Sequence, residues 1–312
     1  MSITHPGQLD CFHNPLANRQ LAYGAVRQDI LSVARAENAL RTISSWPNYQ
    51  ATALQQLNTM AEAANIAKVY YKDESTRFGL KSFKALGGAY AVTRFLQQHL
   101  AQINGVEPTM EELLSGQFKA QLKDVVVSCA TDGNHGRSVA WGAQMFGCQC
   151  IIYIHRDVSP GRQAAMEAYA AQVIRITGNY DDSVKQAASD AKLHGRVIIS
   201  DTSYPGYTEI PANVALGYTV MLAEIVQQLK GDVPTHVFVQ AGVGGLAAAV
   251  CGYFWDLWGQ QRPRFVIVEP EQANCLQESA KAGELRVVEG DLDTLMAGLA
   301  CGEVSQIAWQ IL

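Results

Sequence analysis

From residue 124 onward, short apolar runs and helical stretches take turns along the chain, and that alternation limits the fold more than any other feature. Asp124–Cys129 (DVVVSC), Gln149–His155 (QCIIYIH), Gln172–Ile176, Arg196–Ser200, His236–Gln240 and Phe265–Val268 are short apolar runs, most of them rich in β-branched residues, and read as strands. Between them, Asn134–Phe146, Gly161–Ala170, Asp181–Leu193, Pro211–Leu229 and Leu246–Trp258 read as helices, with Pro211 suited to a first turn. Such alternation predicts an α/β fold with mainly parallel sheets and helices on both faces. Upstream, Ala67–Tyr71 (AKVYY) reads as a strand and Ala85–Leu100 as a helix. Val26–Ile43 and Ala51–Ile66 read as two further helices separated by the SSWPNYQ turn. A chain of 312 residues is long for one compact core, so two domains are expected.

Ligands of open parallel sheets bind at the carboxyl ends of the strands, which directs attention to the loops that follow them. Ala130–Gly136 (ATDGNHG) joins a strand to a helix, and its two glycines let backbone amides approach an anion at the helix start. Asp132 would serve equally as a helix cap, and Asn134 and His135 as turn residues. Gln240–Leu246 (QAGVGGL) places glycines at 242, 244 and 245. That is not the GxGxxG dinucleotide spacing, but it suits a phosphate cradle of N–H groups; alone it is a weak signal. In Ser200–Pro211 (SDTSYPGYTEIP), Asp201 follows a strand and can reach the same crevice as Asp132, although a solvated turn acid fits too.

Lys84, in KSFKALGG, falls in the first turn of the helix that follows AKVYY. A helix N-terminus carries roughly half a positive charge and disfavours a cation. A lysine held there and partly desolvated is expected to have its pKa drawn down toward the neutral amine that forms Schiff bases. An ordinary solvated lysine, as expected of Lys81, is the alternative. Taken together, an amine, a phosphate cradle, an anion loop and two acids are the parts that hold pyridoxal phosphate and an amino-acid substrate.

The charge balance, 24 Lys+Arg against 29 Asp+Glu for a net −5 without a basic block, argues against a nucleic-acid partner. No uninterrupted apolar run approaches the roughly 18 residues of a membrane span, and MSITHPGQLD is not a leader, so a cytoplasmic protein without a membrane partner is expected. Seven scattered cysteines are an odd number and not a disulfide framework. Cys148 and Cys150 read as buried thiols, and no His cluster accompanies them at zinc spacing, so no metal site is expected.

The segments SFK at Lys84, TDGNHG at 131–136 and AGVGG at 241–245, in that order, resemble the fold-type II pyridoxal-phosphate enzymes, related to the tryptophan synthase β chain. Within that group, KDES.RFGL..FK.LGGAYA, TDGNHGR.VAW, DT..GYT.IP, QAGVG and MAGLACGE are similar to the diaminopropionate ammonia-lyases from about residue 68 onward. The resemblance implies two open parallel-sheet α/β domains with the cofactor between them: a larger one from 1–89 and 207–312, and a smaller inserted one from 90–206. It implies Lys84 as the cofactor lysine, with Gly242, Val243, Gly244 and Gly245 on the cofactor phosphate and Asn134 on the ring hydroxyl. Thr131, Asp132, Gly133, His135 and Tyr204 would receive the substrate. Asp132 and Asp201 would be the additional acids, Asp132 acting on the α proton of the D isomer and Lys84 on that of the L isomer.

The implied reaction is α,β-elimination of 2,3-diaminopropionate to pyruvate and ammonia, an amino-acid catabolic lyase acting as a homodimer. A serine or threonine dehydratase is the alternative within the class, and Asp132 argues against it. A non-catalytic relative acting as a binding protein is the alternative outside it. Cys275 and Cys301 are expected near each other beside the site. Family members continue beyond the position of the apolar IAWQIL stretch at 307–312, so the resemblance also implies a shortened relative: either an active lyase whose missing contacts are supplied by oligomerisation, or one with exposed apolar surface and impaired catalysis, the latter being the expectation.

Overall fold

Two helices open the described part of the chain where the sequence reads as one. They are α1 (Ala25–Ile30) and α2 (Val33–Ser44), parted at Leu31, whose backbone is extended, and Ser32, whose hydroxyl caps α2 by accepting the Arg35 N–H. The computed structural model describes residues 10–131 and 133–312. Ala51–Ile66 is not a single helix. Its first part forms β1 (Leu54–Gln56), antiparallel to β2 (Tyr70–Lys72) with Leu54 opposite Lys72, and only α3 (Asn58–Ala64) is helical. Cross-strand backbone pairing, which helical periodicity does not register, decides that segment.

The chain then enters α4 (Lys84–Asn104), followed by the short α5 (Met110–Ser115) and α6 (Lys119–Leu122). From there strand and helix alternate as the sequence predicts. β3 (Val126–Ala130), α7 (Asn134–Phe146), β4 (Gln149–Ile154), α8 (Pro160–Glu167), β5 (Gln172–Arg175), α9 (Tyr180–His194) and β6 (Val197–Ile198) build one sheet in the order β5-β4-β3-β6. It is parallel throughout, with Val126 opposite Gln149 and Ile151 opposite Gln172. A second parallel pair, β7 (His236–Gln240) and β8 (Arg264–Val268), follows α10 (Glu209–Leu229) and is bridged by α11 (Gly245–Trp258). Phe238 and Val268 of this pair stay 69% and 47% exposed.

α4 is the spine of the core, packed against α7 on one side and α10 on the other. By length and hydropathy α10 could cross a bilayer, but 72% of its most apolar window is buried inside the protein, and it carries Asn213, Thr219 and Glu224 into the core. The crossing of α4 and α10 is close because Gly217 lacks a side chain. A Cβ there would lie 2.4 Å from the carbonyl oxygen of Leu86, which cannot yield without moving α4. Gly217→Ala is therefore expected to lower stability by about 1–3 kcal/mol, despite the better helix propensity of alanine. The urea midpoint at unchanged slope measures it.

α12 (Cys275–Ala282) and α13 (Gln306–Ile311) complete the structure, and α13 packs against α11. Ile307, Ala308 and Ile311 are at most 3% exposed. The apolar IAWQIL stretch is thus part of the core.

Candidate active site

Lys84 is the first residue of α4, as the sequence predicts, and its side chain is directed at the loop after β6, where Nζ pairs with Oδ2 of Asp201. The two side chains are 26% and 20% exposed. His135, in the first turn of α7, approaches the same carboxylate oxygen with Nδ1 at 3.9 Å. The carboxyl end of β3, the start of α7, the end of β6 and the N-terminus of α4 therefore meet at one carboxylate.

The electrostatics reverse one expectation. Burial does push the Lys84 amine toward neutrality, but the Asp201 charge outweighs it and holds the Lys84 pKa above the ordinary lysine value. For Asp201, burial would raise the carboxyl pKa, and the Lys84 charge, aided by His135, holds it well below the usual carboxylate range. Position at a helix start is a fraction of a charge, whereas Asp201 is a whole charge in direct contact. The amine is thus stored as ammonium and becomes nucleophilic only when that ion pair is broken. His135 is held neutral, chiefly by burial.

The glycine loop borders the same residues. Gly244 adopts φ +96°, a conformation that glycine reaches without strain, and caps α11; a Cβ on Gly245 would stand 3.6 Å from the Asp201 carbonyl oxygen. The start of a 14-residue helix, with its unpaired N–H groups, thus lies beside the carboxylate that holds Lys84. The Val243 carbonyl accepts the Ser305 N–H at 2.8 Å, and Ser305 Oγ lies 2.7 Å from Ser203 Oγ, so α13 pins the glycine loop to the Asp201 loop. A primary amine and a helix-start anion cradle at one acid fit the aldehyde and phosphate of pyridoxal phosphate.

Of the remaining residues singled out in the sequence, Thr131 is buried and its hydroxyl accepts the Gly133 N–H at 3.2 Å. Asn134 is exposed at the start of α7. Asp132 lies outside the described residues. The side chain of His135 is not offered to a ligand carboxylate: it is 6% exposed and its Nε2 donates to the Ile199 carbonyl at 2.8 Å. Tyr204 is 53% exposed and stacks on Tyr207, 4.9 Å between ring centres. It is Tyr207 that turns inward, donating to the Ile198 carbonyl and accepting the Ser200 N–H. Cys275 and Cys301 both border Gly242, with Cys275 Sγ 3.6 Å from its carbonyl and Cys301 Sγ 3.0 Å from where its Cβ would be. No disulfide joins the described cysteines. Among the described residues no group of three His, Cys, Asp or Glu side chains is placed to hold a metal ion.

Sequence reading missed three participants. Tyr218 of α10 lies beside Lys84 and Asp201 with its hydroxyl buried; nothing in an apolar helix marks it. Ser305 is equally unmarked. Glu224 was detectable as a single acid in the apolar run LGYTVMLAEIV, a residue type seldom buried unless paired.

Comparison with known proteins agrees with this geometry. The family model described as "Pyridoxal-phosphate dependent enzyme" matches residues 46–312. The diaminopropionate ammonia-lyase of Salmonella typhimurium is 40% identical over 272 residues, covering 85% of this chain and 67% of that protein. That of Escherichia coli strain K12 is 38% identical over 287 residues, 91% of this chain and 70% of that protein. The crystal structure of the Escherichia coli enzyme in complex with D-serine superposes with a TM-score of 0.80 at 36% identity, covering 91% of this chain and 70% of that one.

Proposed function

The chain belongs to the pyridoxal-phosphate dependent enzymes, and within them to the diaminopropionate ammonia-lyase family, and from that premise we propose that it eliminates ammonia from 2,3-diaminopropionate to give pyruvate. The observation that carries the reading is the Lys84–Asp201 pair set against the glycine loop at the start of α11. Lys84 would hold the cofactor, Gly242 to Gly245 its phosphate and Asn134 its ring hydroxyl; bound there, the cofactor supplies an electron sink for the α carbon. The division into residues 1–89 with 207–312 and an inserted 90–206 is proposed with it, and the four-stranded sheet, which falls wholly within 90–206, supports it.

The chain's own groups then divide the work. Lys84, released from Asp201, is the base for the α proton of the L isomer, and Asp132 is assigned that of the D isomer. The loop from Thr131 to Gly133, which leads into the start of α7, is assigned the substrate carboxylate. Asp201 binds the β-ammonium group and keeps it protonated until it leaves as ammonia, a task for which a carboxylate is suited and a hydroxyl-binding pocket is not. Hydrolysis of the released enamine gives pyruvate and a second ammonia.

The test is pyruvate formation by the cofactor-loaded chain from each isomer. Diaminopropionate is expected to be consumed in preference to serine and threonine. Turnover of serine or threonine without turnover of diaminopropionate, by a chain that has taken up the cofactor, would refute the assignment.

A further inference from the structure

His135 has a nitrogen whose placement the reaction scheme above does not use. Because Nε2 donates to the Ile199 carbonyl at 2.8 Å, the proton of the neutral ring is on Nε2 and Nδ1 carries a lone pair. That Nδ1 is buried without a hydrogen-bond partner, and it faces Oδ2 of Asp201 at 3.9 Å. Ile199 and Asp201 are two residues apart, so one loop grips the ring on one side and confronts it on the other. Two acceptors face each other across this gap, an arrangement tolerated only while the Lys84 ammonium lies on the same oxygen. Lys84 must leave Asp201 to act as nucleophile or base. The carboxylate then faces a lone pair with no cation beside it, and taking up one proton relieves both groups.

We propose that His135 is the proton-sharing partner of Asp201: when Lys84 leaves its ion pair, Nδ1 and the carboxylate hold one proton between them, and that proton keeps the departing β-nitrogen of the substrate protonated. The second clause rests on the proposed elimination; the dyad itself does not. The gap is about 1 Å longer than a hydrogen bond, and the carboxylate closes it by turning from Lys84 toward the ring. The other groups facing the pair are Tyr218 from α10, Tyr207 from the loop after β6 and Cys129 from β3. Burial raises the pKa of each, leaving Lys84 as the cation that decides where the proton resides. In the reaction the proton passes from the dyad to the β-amine, and the Cβ–N bond breaks with its electron pair leaving on nitrogen as ammonia. The pair left at Cα by proton abstraction forms the carbon–carbon double bond. His135 acts through Asp201 and is a positioning residue.

The decisive measurement uses the full chain without cofactor, labelled with nitrogen-15 at histidine. In the wild type His135 is expected to show one protonated ring nitrogen at pH 7. In Lys84→Met it is expected to show two, with its titration midpoint raised by roughly one unit or more. Lys84→Arg, which keeps the cation, and Lys84→Met combined with Asp201→Asn are both expected to return it to the neutral form. A neutral His135 in Lys84→Met, or a raised midpoint that survives Asp201→Asn, would overturn the dyad.

In the loaded enzyme His135→Gln keeps an N–H for the Ile199 carbonyl but removes the titrating nitrogen. It is expected to lower kcat by about 10²-fold with KM little changed and to move the alkaline limb of the kcat profile to lower pH. Loss of rate with the limb unmoved would overturn the proton role. Absence of pyruvate from the loaded wild type would count against the elimination itself, and the spectra of the cofactor-free chain would still decide the dyad.

Discussion

Lys84→Ala is expected to lower pyruvate formation from diaminopropionate by on the order of 10³-fold or more, because one amine is proposed both as the covalent anchor of the cofactor and as the base for the L isomer. Borohydride treatment of the loaded wild type should fix the cofactor on the peptide containing Lys84 and leave the variant unlabelled. The structure adds a second consequence. Asp201 loses the cation that holds its pKa down, so the same substitution changes the protonation of the acid assigned to the leaving group. Loss with the D isomer should also be severe, because the amine proposed to anchor the cofactor is gone, although Asp132 is assigned that proton. A variant that retained D-isomer turnover near the wild-type rate would sink the assignment of Lys84 as the cofactor anchor.

What the sequence disclosed was local, and what it concealed was long-range. The alternation of β-branched runs with helical spacing marked all six strands from β3 to β8, because each run carries its own periodicity. The three loops and Lys84 were visible because glycine, acid and lysine are informative at strand ends and helix starts. The direction of the Lys84 shift was not visible, since Asp201 is 117 positions away and its contact outweighs the helix end. The inward turn of His135 depends on a carbonyl 64 positions away. Ala51–Ile66 misled for the same reason: Leu54 finds its partner in Lys72, and no pattern within the segment announces a strand.

Glu224→Ala is expected to cost about 3–5 kcal/mol of stability, the magnitude for breaking a buried ion pair and leaving the other partner behind. Arg77 and Glu224 are each 1% exposed, and the guanidinium donates to both Glu224 oxygens at 2.7 Å. Its Nε and Nη2 also reach Glu74, at 2.8 and 2.7 Å, and Lys72 donates to Glu224 Oε2 at 2.7 Å. The Tyr49 hydroxyl and the Thr52 N–H donate to the same carboxylate. One side chain of α10 thus anchors β2 and the KDESTR turn, the segments that deliver the chain to Lys84, so loosening it should also weaken cofactor retention.

Burial by itself would raise the Glu224 pKa, but the hydrogen bonds and charges of Arg77 and Lys72 outweigh it and hold the carboxyl below its usual value. The folded pKa being depressed, the contribution is fully present above the unfolded glutamate value of about 4.3 and is lost as pH falls through the folded one. Urea midpoints of wild type and Glu224→Ala should accordingly differ most near neutrality and converge in acid. Asp232→Ala, which removes the exposed partner of Lys68, should leave the midpoint nearly unchanged at every pH. A constant gap between Glu224→Ala and wild type down to acid pH would assign the loss to packing rather than to the charge network.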